Sequence, residues 1–254
     1  MKITDDRTYY SRTGNKKMIG IVGMPPCGFG NRMLYYYNLR QESHKRGCEF
    51  FCVPWVGHRL FEGNMLGTPP RNQSYENLGF CLGERFYDDS GISTREVFKL
   101  KTVPEVPSNT CAIHFRGTDF HTWNPKSILK SQYYCDSIEE IKSEVSNFIL
   151  FTDDITLENY KKVKDYLEDN EIPFSRGEND NDGNNYVNDF STMSECEYII
   201  SSPSTYSICA GFIGKEKKII HSKEWVEYRV TEEDKFWCDL YDGGNDDYKL
   251  WKAI

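Results

Sequence analysis

Apolar residues along this chain come in two arrangements. Some form short unbroken runs of strand length; others recur every three or four positions over helix-length stretches, and the two alternate. MIGIVGM (18–24) reads as a buried strand, closed by Pro25-Pro26. In the stretch that follows, CGFGNRMLYYYNLRQESHKRG, Met33, Leu34, Tyr37 and Gln41 fall at helical spacing and Gly47 is a natural stop. EFFCVPW (49–55) is a second strand, so the chain opens strand, glycine loop, helix, strand. The polar residues 1–17 read as a loose arm or an edge strand. Residues 56–110 are rich in Gly, Pro and Asn and read as short helices and loops, with KTVPEVPSNT (101–110) as a linker.

A second alternating series begins at CAIHF (111–115), a strand. SQYYCDSIEEIKSEV is a helix, NFILFTDD a strand, LENYKKVKDYLEDN an amphipathic helix and IPFS a short strand. After the loop NDNDGNN come the helix YVNDFSTMSEC, the strand EYIIS, the helix STYSICAGFIG and the strand KKIIH. The tail from Ser222 is polar with interspersed Trp and Tyr. The pattern predicts an α/β protein of two units, residues 1–105 and 106–254. Ligands of open α/β sheets bind outside the carboxyl ends of the strands. Three such ends carry polar clusters, Gly28–Arg32, His114–Asp119 and Ser201–Thr205, and they are expected to face one cleft.

Composition narrows the function. A net charge of −8 and a pI near 5.3 disfavour nucleic acid or an anionic membrane as partner. The nine cysteines are scattered, without C-x-x-C pairs or zinc-type Cys/His spacing, so a disulfide framework and a structural zinc site are not expected. Cys111, Cys135 and Cys209 sit in apolar stretches, as free buried thiols do, which suggests a reducing compartment. With no signal-peptide core near the start and no run of about 18 apolar residues, the expected location is cytoplasmic.

The clusters then have to be read for chemistry. In GMPPCGFGNR, Gly28 and Gly30 would let a ligand approach the backbone; a tight structural turn explains them as well. The dinucleotide fingerprint fails at Met33, and the Lys-Ser/Thr of a phosphate loop is missing. In HFRGTD, Arg116 at the end of a buried strand must use its charge. Either it pairs with Asp119 and braces the loop, or its planar fork holds an anion, with Gly117 permitting close approach. In SSPSTYS, hydroxyls and free N–H groups at a helix start suit an anion, and N-capping by Ser202 or Ser204 can coexist with that. FTDD could hold Mg²⁺ on a nucleotide, but the preferred reading is the cap and acidic first turn of the next helix. Asp189 in NDFSTMSEC is either an ordinary cap or a carboxylate for the paired N–H donors of guanine.

In order, GFGNRM, HFRGTD, FTDD and DFSTMSECEYIISSPSTYSICAGFIG, within residues 19–214, resemble the fucosyltransferase superfamily with an H-x-R-x-x-D signature. The α-1,2-fucosyltransferase family is the most similar. Arg32 stands where that family has Gln, and Gly117-Thr118 where it has Arg-Gly. Thr205-Tyr206 replaces a tryptophan pair, as in the protein O-fucosyltransferases and α-1,6-fucosyltransferases.

The resemblance implies a GT-B-like fold, two Rossmann-like units facing across a cleft, with the N-terminal unit on the acceptor side. It implies inverting, metal-independent transfer from a GDP-sugar, in the first place GDP-fucose, to a glycan or glycoconjugate, with no cofactor beyond the donor. Arg116 would stabilise the β-phosphate as the glycosidic bond breaks. Ser202, Ser204 and Thr205 would hold the same diphosphate, and Asp189 the guanine. Gly28, Gly30, Thr152 and Asp153 complete the expected donor site. His114 would position phosphate or sugar; Asp119 would orient Arg116 or contact ribose or an acceptor hydroxyl. Asn31 would reach the donor or acceptor from the facing unit. Asp119, Glu62 or the leaving phosphate could take the proton. Another nucleotide sugar on the same scaffold, or a non-catalytic nucleotide- or glycan-binding protein, are the rival readings.

Overall fold

The structure is a computed structural model and describes residues 18–24, 26–63, 74–78, 92–178, 185–214, 218–232 and 252–253. The expected arm (1–17) and most of NDNDGNN lie outside the described residues. The chain divides into two compact units, Met1–Lys101 and Thr102–Ile254. Both are α/β with parallel sheets among the described residues, the Rossmann-like architecture expected from the sequence.

In the first unit, β1 (Met18–Ile21) is buried along its whole length. It lies between β2 (Phe50–Cys52) and β3 (Tyr75–Asn77), parallel to both. Between β1 and β2 runs α1 (Phe29–Arg46), which buries Met33, Leu34, Tyr37 and Gln41. Gly47, in the left-handed region at φ 57°, ends the helix and donates to the His44 carbonyl. Both strands are shorter than their apolar runs. Val22 and Gly23 are already exposed beyond β1. In β2, Pro54 has no N–H to extend the ladder past Val53, whose N–H bonds the Ile21 carbonyl at 3.0 Å. The short helices α2 (Gly57–Leu60) and α3 (Thr94–Val97) were expected; β3 was not. Its Tyr-Glu-Asn carries no apolar run, because it is an edge strand whose Glu76 pairs with Arg46 at 2.7 Å.

In the second unit, β4 (Thr110–Phe115), buried throughout, is the central strand. α5 (Ser131–Ile141), β5 (Asn147–Thr152), α6 (Glu158–Asp169) and β6 (Phe174–Arg176) build outward on one side. α4 (Phe120–Trp123) and a 3-10 turn at Pro125–Ser127 precede α5. The chain then crosses back through α7 (Tyr186–Glu195) to β7 (Tyr198–Ile200), on the other flank of β4. α8 (Thr205–Ile213), β8 (Lys218–His221), α9 (Lys223–Thr231) and β9 (Lys252–Ala253) follow. The sheet order is β6-β5-β4-β7-β8-β9, the doubly wound order with its reversal between β4 and β7.

Three boundaries correct the sequence reading. α5 stops at Ile141, four residues early, where the chain turns and Ser146 reaches the Asn109 carbonyl at 2.8 Å. β5 stops at Thr152, because Asp153 and Asp154 are drawn into side-chain bonds. The tail from Ser222 opens with a helix: the Ser222 hydroxyl caps α9 by accepting from the Trp225 N–H, and Trp225 and Val226 are buried. A short helix with one buried apolar pair among charged residues gives little periodicity.

Candidate functional site

The carboxyl ends of β4, β5 and β7 meet at the sheet's reversal point, where a doubly wound fold opens a crevice. β4 delivers Arg116 one residue past its end. The guanidinium bonds Asp153 through Nη1 at 2.5 Å and Asp119 through Nη2 at 2.8 Å, and lies 5.5 Å from the Phe120 ring centre. Its side chain keeps 30% exposure, against 17% for Asp153 and 61% for Asp119. Asp153 also accepts from the Gly117 N–H at 3.0 Å and the Thr118 hydroxyl at 2.7 Å. It therefore anchors the whole HFRGTD turn to the end of β5.

This arrangement corrects the preferred reading of FTDD as the cap and acidic first turn of the next helix. Asp153 serves Arg116, and Asp154 accepts from the Thr156 N–H and hydroxyl, tightening the turn before α6. Helix α6 itself begins only after Leu157. Among the described residues no group of three or more His, Cys, Asp or Glu is placed to hold a metal ion. The reading of Gly117 changes too. A Cβ there would come within 2.5 Å of the Leu157 side chain, so what glycine admits is Leu157, not a ligand. Thr152 is buried, its hydroxyl engaged with the backbone of Asp154.

Across the reversal point, His114 Nδ1 meets the Ser202 hydroxyl at 2.7 Å, and both residues are buried. Burial, helped by the nearby Arg116 charge, pulls the His114 pKa down to about 3. The ring is thus neutral at physiological pH and tunes geometry rather than charge. Ser204 caps α8 by accepting from the Tyr206 N–H, and Thr205 opens the helix, partly exposed. Asp189, in the first turn of α7, is buried and accepts from the Glu178 N–H at 2.7 Å. Tyr206 packs beside His114 and was not among the residues the sequence singled out. Its ring lies 5.2 Å from His114 and 5.3 Å from Phe190, and its hydroxyl donates to the Tyr186 carbonyl. Burial, with Asp189 and Tyr186 nearby, holds its pKa well above the usual phenol value. The sequence signal was its place in the first turn of α8, directly after the serine cluster.

The model of glycosyl transferase family 11 matches residues 93–238, more than half of the chain. The chain belongs to glycosyl transferase family 11, the α-1,2-fucosyltransferase family. It is a fucosyltransferase-like glycosyltransferase. No curated protein matches it. The family match covers the Arg116 turn, Asp153, Asp189 and the start of α8, all within the second unit. Arg116, Asp119 and Asp153 form one bonded group and His114 and Ser202 a second, with Ser204 at the cap of α8 and Thr205 at its start.

Gly28, Gly30 and Asn31 belong to the first unit of this family 11 protein. Gly28 is the N-cap of α1 with φ −60° and ψ 164°, a conformation any residue adopts, and among the described residues a Cβ there would meet nothing within 4 Å. Gly30 and Asn31 lie in the first turn of α1, buried and half-buried. Glu62 is paired with Lys99 at 2.7 Å. No helix among the described residues is long and apolar enough to cross a membrane. Seven of the cysteines are free thiols, Cys111, Cys196 and Cys209 among the buried ones and Cys135 half-buried.

Proposed function

We propose that this protein is an inverting fucosyltransferase that moves fucose from GDP-fucose to a glycan hydroxyl without a metal. The observation that carries the reading is Arg116: a guanidinium fixed from two sides, partly exposed, at the reversal point of a doubly wound sheet and beside the start of α8. The acceptor oxygen attacks C1 of the sugar as the bond from C1 to the β-phosphate oxygen breaks, and that bond's electron pair goes to the phosphate. Arg116, with Ser204, Thr205 and the α8 N–H groups, stabilises the charge that develops there. Fixing by Asp153 removes the need to reorganise at the moment of reaction, which gives Asp153 a positioning role. Ser202 and neutral His114 hold the β4 and β7 ends in register. Asp119, mostly exposed, orients Arg116 through one oxygen and is the candidate to take the acceptor proton. Asp189, buried in the first turn of α7, contacts guanine.

Thermal shift with GDP, UDP and ADP, followed by GDP-sugars, tests the donor. At 100 times Kd, a ligand that binds only the folded state adds about 2.7 kcal/mol. GDP is expected to stabilise the protein and GDP-fucose to be consumed. No shift with GDP alongside a clear shift with UDP or ADP would overturn the donor assignment.

A further inference from the structure

Resting on the transferase reading, the geometry points to Trp123 as the platform on which the acceptor sugar stacks. Among the described residues it is the one aromatic side chain that is mostly exposed, at 56%. Its support and its place set it apart from a stray surface residue. Phe120 lies 5.2 Å from it, the buried Trp225 of α9 lies 6.4 Å from it, and the Arg229 guanidinium lies 5.7 Å from its ring centre. A flat ring braced by neighbouring rings gives up little conformational freedom when a ligand covers it.

Its place ties it to the reaction. α4 begins directly after Asp119, and Phe120 touches both Arg116 and Trp123, so the indole is two ring contacts away from the guanidinium. A pyranose offers a face of C–H groups and a rim of hydroxyls. The open indole suits the face. The mostly exposed Asp119 carboxylate, four residues earlier in the chain, suits a hydroxyl on the rim. α4 thereby carries a sugar-binding surface on the same short segment whose cap holds Arg116.

The test uses the full chain with ¹⁵N-labelled indoles, the Trp123 signal being assigned by its loss in Trp123→Phe. Methyl glycosides of galactose, glucose, N-acetylglucosamine and mannose are titrated with GDP present, and their turnover with GDP-fucose is measured. At least one sugar is expected to move the Trp123 signal. Trp123→Ala should raise KM for that sugar by about tenfold or more, leaving the donor KM in place. Trp123→Phe, which keeps a ring on Trp225, should show a smaller rise in the same constant. Saccharide-dependent turnover with an unmoved Trp123 signal would overturn the platform while leaving the transferase reading intact. So would an unchanged acceptor KM in a folded Trp123→Ala. A moved Trp123 signal with no turnover would support the platform and count against the transferase reading.

Discussion

Substituting Arg116 separates bracing from catalysis, because the structure assigns a magnitude to each. Arg116→Ala removes one charge-assisted bond to Asp153, at 17% exposure, and one to Asp119, at 61%. The first contributes roughly 1.5–3 kcal/mol; the second, between solvated partners, under about 1 kcal/mol. Asp153 keeps its bonds from Gly117 and Thr118, so it escapes the full penalty of roughly 3–5 kcal/mol for a stranded buried charge. A loss of about 2–3 kcal/mol is expected, which lowers Tm by roughly 4–12 °C in a protein of this size. Arg116→Lys keeps one cationic contact to Asp153 and should lose only about 1 kcal/mol. Its turnover should nevertheless fall about 10²–10³-fold, because an ammonium lacks the fork that the transition-state phosphate needs. Melting and transfer at saturating GDP-fucose are measured on the same preparations. A folded, GDP-binding Arg116→Lys with near-normal transfer would refute the catalytic role. An unchanged Tm in Arg116→Ala would refute the brace.

Turnover should survive EDTA; complete loss restored by Mg²⁺ or Mn²⁺ would return FTDD to the reacting centre. Acid should destabilise the protein through His114 and His221, both lowered to about 3 by burial, with Arg116 contributing at His114. The unfolded chain takes up these protons near pH 6.5 and the folded one does not. Stability is therefore fully present above pH 6.5 and falls by up to about 1.4 kcal/mol per unit per histidine as the pH drops toward 3. Urea unfolding at pH 7, 6 and 5 measures this above the carboxylate range, and a flat profile would count against both assignments.

Most strands and helices of the second unit were legible because they have a clean run or period: all six residues of β4 are buried, and α6 has a well-defined apolar face. β3 and α9 were hidden because each buries too few side chains to imprint a pattern. At the site, residue types located Arg116, His114 and the serines, since a cation and a row of hydroxyls at strand ends need partners. What the sequence could not convey was the partnership. Arg116 seemed matched to Asp119, three residues away, whereas its shorter and better buried bond is to Asp153, just past the end of a neighbouring strand. Only the register of β4 against β5, Phe115 opposite Thr152, brings those two together. Leu157 likewise explains Gly117 through a contact that sequence spacing does not contain.

The crossing of the chain from one flank of β4 to the other also bears on how the site assembles. Arg116 and Asp153 are separated by 37 residues, within one βαβ passage, whereas His114 and Ser202 are separated by 88. Since each doubling of a loop adds only about 0.6 kcal/mol of closure entropy, the longer closure is only slightly less favourable at equilibrium. In folding, however, non-local pairings come late. The half that carries the guanidinium should form first and the half that carries the helix-start hydroxyls should dock onto it. A diphosphate that touches both halves would act as a clasp on the later step. Amide exchange in β7 and β8 should then slow on GDP binding more than exchange in β4 and β5, and equal slowing would show that the two halves open together.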